Sequence, residues 1–241
     1  YTPHSYDIIH HHSVLDVPNM HMFLRLSARR PFFLTVLREP ISRLVSAFNY
    51  PPWLHVARGP AASKSANWSA ILAEYEKGGV FSPRGSVFRN SMALDLGWYS
   101  RTGSTLGVFR DDHNETQLKT WLHGLDKKLD LVVLTERFDE GLVLLAHVLG
   151  LPVMEFSYRV QNSNAQKKFR PPFPESLRWR LLRMNWPDHV LHSHFERRFS
   201  SEWNATDSDV RRDGLATLQA ANAAGHIPAY TMQHVHTSGR C

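Results

Sequence analysis

At 241 residues, with 42% apolar and 21% charged side chains, the chain has the composition of one sizeable globular domain and not of a disordered or fibrous protein. Its net charge of +6 and pI near 9.6 favour an anionic partner without choosing among nucleotide, sulfated glycan, nucleic acid and acidic lipid. The one cysteine, Cys241 at the last position, excludes an internal disulfide framework and any CxxC metal site.

In chain order, Ser5 to Ile9 is a short apolar run that reads as a strand, and His10, His11 and His12 follow it as a loop. Val17 to Ser27 has the mixed periodicity of a helix. Phe32 to Leu37, rich in Phe, Val and Thr, reads as a buried strand. Pro40 then suits the first turn of a helix, and Ile41, Leu44, Val45 and Phe48 recur at helical spacing. Pro51-Pro52 stops that helix.

Trp68 to Lys77 reads as an amphipathic helix closed by Gly78-Gly79. Arg89 to Trp98 is apolar on one side, Ser100 to Asn114 is a loop, and Glu115 to Leu125 is helical. Asp130 to Leu134 is a second strand, and Asp139 to Gly150 a helix ended by its glycine. Tyr158 to Pro174 reads as a basic loop, and Glu175 to Arg183, Pro187 to Phe199 and Asp207 to Ala224 as helices. The repeated strand–helix unit points to an α/β chain with a parallel sheet. Without internal repeats or a low-complexity linker, residues 1–241 read as a single domain.

Arg38 stands at the end of the first clear strand, where ligands collect in open α/β sheets. An arginine fork there can grip a phosphate, with first-turn N–H groups beside it and Ser46 as a further donor. Arg43 lies between them. The alternative is that Arg38 pairs with a carboxylate such as Glu39 and that Ser46 is an ordinary helix residue. The histidines titrate near neutrality, which suits a proton acceptor; a solvated loop is the rival reading. His10 with His12, or His192 with His194, offers only two metal ligands, and no HExxH is present, so no metal is expected. Glu136 and Asp139 suit the start of a helix as carboxylates near its positive end. Lys167, Lys168 and Arg170 either close over an anion or form a solvated basic loop.

The string Arg38-Glu39-Pro40 followed by Ser46 resembles the 3′-phosphate-binding motif of sulfotransferases that use 3′-phosphoadenosine-5′-phosphosulfate (PAPS). Three further blocks are similar to the galactose-3-O-sulfotransferase family: Tyr6-Asp7-Ile8-Ile9-His10-His11-His12, Arg89-Asn90-Ser91-Met92-Ala93-Leu94-Asp95-Leu96-Gly97 and Leu131-Val132-Val133-Leu134-Thr135-Glu136-Arg137-Phe138-Asp139-Glu140. The resemblance runs from about Tyr6 to at least Phe195.

It implies a three-layer, P-loop-like sulfotransferase fold with a central parallel sheet flanked by helices. It implies PAPS as sulfate donor, no metal, and a galactose-terminated glycolipid or glycan as acceptor. Arg38, Ser46 and Arg43 would bind the nucleotide, and His11 or His12 would act as base or contact the acceptor sugar. Arg89 or Asn90 would contact the nucleotide or the acceptor sugar, or else hydrogen-bond locally within a buried helix. Asp188, Leu191, His194 and Phe195 resemble a family helix and are expected to pack.

The implied address is the Golgi lumen, on a type II membrane protein. Three acceptor sequons, at Asn67, Asn114 and Asn204 in polar, loop-like settings, agree with a secretory lumen. The chain opens on Tyr1 and holds neither a signal peptide nor a membrane-length apolar run, which reads as a fragment. The family's loop for the 5′-phosphosulfate is not found upstream of Arg38, so this piece alone is expected to be weakly active or inactive. Membrane attachment would then lie in a segment outside it, and a homodimer is compatible with the resemblance. Rival readings are a glycosaminoglycan sulfotransferase and a non-catalytic glycan-binding module; a nucleic-acid binder is disfavoured because no such motif appears.

Overall fold

The computed structural model describes residues 15, 17, 31–48, 68–69, 90–98, 115–159 and 173–226. Their order is β1 (Leu34–Leu37), α1 (Pro40–Phe48), α2 (Ser91–Asp95), α3 (Glu115–Asp126), β2 (Leu131–Leu134), α4 (Phe138–Leu149), α5 (Arg178–Met184), α6 (Trp186–Ala205) and α7 (Ser208–Ala224). Short 3-10 turns cover Thr135–Arg137, Val153–Phe156 and Glu175–Leu177. The described residues are thus mostly helical, with two four-residue strands. Their contacts divide into two compact units: residues 1–130 with 169–194, and residues 131–168 with 195–241.

The first unit is built on β1 and α1. Leu37 ends the strand buried, while Leu34 and Val36 stay exposed. Ile41 and Leu44, three residues apart on one face of α1, are buried at 5% and 2% exposure. Emptying the Leu44 position to alanine would cost roughly 2–5 kcal/mol in a packed core. α5 packs against α1. On α3, Leu118, Trp121, Leu122 and Leu125 share the buried side, and the Trp121 ring lies 5.2 Å from that of Trp98. Asp130, one residue before β2, bonds twice to Phe33, one residue before β1.

The second unit is built on β2, whose four residues are all buried, as expected of a strand covered on both faces. α4 follows, buried from Gly141 to Ala146. Two close approaches bring its neighbours in. A Cβ on Gly141 would fall 2.5 Å from Val133 Cγ1 of β2, and one on Gly214 of α7 would fall 2.7 Å from Val143 Cγ1 of α4. Gly150 ends α4 at φ 65°, a left-handed position that favours glycine. The Asp207 carboxylate opens α7 by accepting the N–H of Asp209. Asp139 lies in the first turn of α4, as expected, and accepts the Tyr158 hydroxyl at 2.8 Å. Burial and that bond push the Tyr158 phenol above its usual range.

The expected strand at 130–134 and the helices at 115–125, 139–150, 187–199 and 207–224 appear within a few residues of their expected starts, though α6 runs six residues longer. Glu175 to Arg183 divides into a 3-10 turn and α5. Asn204 is not in a loop but exposed in the last turn of α6. The expected elements at 5–9, 17–27, 68–77, 100–114 and 158–174 lie wholly or mostly outside the described residues.

Candidate functional site

Arg38 follows the last residue of β1 and is half-buried. Ser46 and Arg43, three apart on α1, are half-buried on one side of the helix. Neither the Arg38 nor the Ser46 side chain has a hydrogen-bond or ion-pair partner among the described residues. The Arg38–Glu39 pairing considered above is not formed. A cationic fork and a hydroxyl thus remain available along β1 and α1.

The helix start differs from its expectation. Glu39 directly precedes Pro40, and its carboxylate turns onto the first turn of α1. It accepts the N–H of Ile41 at 3.2 Å and of Ser42 at 2.7 Å. Pro40 has no N–H, and the Arg43 N–H already bonds the Glu39 carbonyl at 2.9 Å. The donors expected to face an anion are therefore taken by the chain's own carboxylate. A bound phosphate would be held by side chains and not by this helix terminus. Arg178 of α5 reaches the same carboxylate, Nη2 to Oε1, at 3.5 Å.

A second polar group lies where α2, α5 and α6 meet. Asn90 takes a left-handed conformation, φ 47° and ψ 37°, which asparagine tolerates better than most residues. Its N–H donates to Asn185 Oδ1 at 3.0 Å, its Nδ2 to the Met184 carbonyl at 3.5 Å, and its Oδ1 accepts the Asp188 N–H at 3.4 Å. The Asp188 carboxylate, 2% exposed, accepts the N–H of Ala93 at 2.7 Å and of Met92 at 3.3 Å. It caps α2. Burial pushes the Asp188 carboxyl up to about 6, against the pull of Ala93, Arg43 and Met92; Asp95 adds to the rise. His189 is pushed below its ordinary value, first by burial and then by the like charge of His192.

Arg38, Arg43 and Ser46 therefore lie half-buried along β1–α1, and Asn90 is turned into the fold at the start of α2. His11, His12, Arg89, Lys167, Lys168 and Arg170 lie outside the described residues. Asn185, Asp188 and Arg178 were not read from the sequence as site residues. The signal for Asp188 was its place in a helix resembling the family's, where it packs as expected and also caps α2. His194 Nε2 lies 3.2 Å from Asp126 Oδ1. Among the described residues no group of three His, Cys, Asp or Glu side chains is arranged to hold a metal, and no helix is long and apolar enough to cross a membrane.

The galactose-3-O-sulfotransferase family model matches residues 2–225. Galactose-3-O-sulfotransferase 3 of Bos taurus is 30% identical over 177 residues, 73% of this chain and 39% of the bovine protein. Galactose-3-O-sulfotransferase 2 of Sus scrofa is 27% identical over 199 residues, 78% of this chain and 45% of the porcine protein. Human galactosylceramide sulfotransferase is 26% identical over 197 residues, 79% of this chain and 43% of the human protein. The chain spans less than half the length of these curated relatives. No solved structure matches it.

Proposed function

This chain belongs to the galactose-3-O-sulfotransferase family, and from that premise we propose that the intact protein transfers a sulfuryl group from PAPS to the 3-hydroxyl of a terminal galactose. The observation that carries the reading is Arg38: a guanidinium at a strand end, without a described partner, followed by a helix that places Ser46 beside Arg43. Arg38 and Ser46 bind the 3′-phosphate, and Arg43 adds positive charge along α1. His11 or His12 takes the proton of the galactose hydroxyl as its oxygen bonds to sulfur. The sulfur–oxygen bond to the 5′-phosphate breaks, and adenosine 3′,5′-bisphosphate leaves. Arg89 and Asn90 serve the acceptor side. No metal takes part.

The acceptor is a galactose-terminated glycolipid or glycan, in keeping with the names of the relatives. The reading carries with it a three-layer, P-loop-like fold with a central parallel sheet. It also carries a Golgi membrane address with the catalytic domain in the lumen. The acceptor sequons support that address. The test is transfer of labelled sulfate from PAPS to β-galactosides and to glycosaminoglycans by the intact protein and its Arg38→Ala variant. Galactoside labelling, with a Michaelis constant for PAPS raised at least about tenfold in the variant, supports the reading. An unchanged constant, or labelling of glycosaminoglycans alone, overturns it.

A further inference from the structure

We propose that Arg178 is a further binding residue for the 3′-phosphate, standing with Arg38 at the end of β1; this rests on the donor reading above. Charge balance is the first reason. Arg38 adjoins Glu39, and the two formal charges cancel. Arg43 faces the buried Asp188 carboxylate on α6. Burial, and then the like charge of His192, hold His189 on the same helix below its usual value, which disfavours its charged form. Arg178 brings a second guanidinium to this strand end, its charge shared only loosely with Glu39 at 3.5 Å and the exposed Glu175 at 3.6 Å.

Geometry is the second reason. Arg178 already reaches the residue next to Arg38, with Nη2 3.5 Å from Glu39 Oε1. Its other ion contact is Nε to Glu175 Oε1 at 3.6 Å, and its side chain is 42% exposed. Pairs so long and so open to solvent hold weakly. A phosphate offers the guanidinium two parallel hydrogen bonds instead. When Arg178 turns to it, Glu39 keeps the N–H groups of Ile41 and Ser42, so no charge is stranded. The α1–α5 packing keeps Arg178 within reach.

The experiment is calorimetric titration of the intact protein with adenosine 3′,5′-bisphosphate and with adenosine 5′-monophosphate, which lacks the 3′-phosphate. Wild type, Arg38→Ala, Arg178→Ala and Arg178→Lys are compared. Arg178→Gln replaces the alanine variant if that one melts early. Loss of Arg178 is expected to weaken the bisphosphate about 10–100-fold while leaving the monophosphate within about twofold. Lysine recovers only part, because an ammonium has no fork. If Arg38→Ala abolishes the preference for the bisphosphate and the Arg178 variants retain it, the inference is overturned and the donor reading stands. Equal weakening of both nucleotides reduces Arg178 to a packing role and also overturns it. If wild type shows no preference, or Arg38→Ala keeps it, the donor reading fails and the inference with it.

Discussion

Asp130 and Phe33, 97 positions apart, bind each other twice: the Phe33 N–H donates to Asp130 Oδ2 at 2.7 Å, and the Asp130 N–H donates to the Phe33 carbonyl at 2.8 Å. The second bond is backbone to backbone and survives any side-chain change. The first does not. Asp130→Ala therefore leaves a half-buried N–H at the entry to β1, at a cost of about 1–3 kcal/mol. Asp130→Asn keeps an acceptor oxygen and recovers most of it. Chemical denaturation of the two variants checks this; equal stability of alanine and asparagine would remove the side-chain bond from the account.

Asp188 makes stability depend on pH in an unusual direction. Its carboxyl is lifted from an ordinary value near 3.8 to about 6. The unfolded chain releases the proton at the lower value, so the folded state holds more protons between the two. Stability from this group is full below pH 3.8 and is lost as pH rises through about 6, by on the order of 3 kcal/mol. Asp188→Asn should remove that slope while keeping an oxygen for the Ala93 N–H. Denaturation at pH 4 and pH 7 is the check: the stability of wild type relative to the variant must fall as pH rises.

Gly141→Ala should destabilise although alanine is the better helix former by about 1 kcal/mol. The new Cβ would lie 2.5 Å from Val133 Cγ1, and overpacking of that kind costs about 1–3 kcal/mol. Thermal melts should show recovery in the Gly141→Ala, Val133→Ala double variant. A single variant as stable as wild type would mean that α4 can lift from β2 freely.

For the proposed transfer reaction, loss of the base should act on turnover. Either His11→Ala or His12→Ala is expected to lower kcat by about 10²–10⁴-fold with the Michaelis constant for PAPS little changed. If both variants turn over normally, neither histidine is the base.

What could be read from the sequence was local. β1 and α1 announced themselves through the Phe32-to-Leu37 run, Pro40 and the Ile41–Leu44 spacing, and α4 through Gly150. The placement of Arg38 at a strand end and of Ser46 on the next helix was legible because a short strand–turn–helix fixes their neighbourhood. The Glu39 cap was within reach too, since an acidic residue directly before a proline at the first helical position is well placed to fold back. What stayed hidden depended on distant partners. Asp188 meets Ala93 across 95 positions, and Arg178 meets Glu39 across 139. No periodicity records such meetings, because each side chain is unremarkable within its own helix.

The two glycine contacts of the second unit have a mechanical reading. Val133 of β2 enters the gap at Gly141 of α4, and Val143 of α4 enters the gap at Gly214 of α7. Each valine is a peg and each glycine its socket, so strand and helices are keyed in series. Sliding either helix by one turn would put a side chain where the gap had been. The pegs therefore fix where along its axis each helix can stop, and volume is conserved across each pair instead of at either position alone.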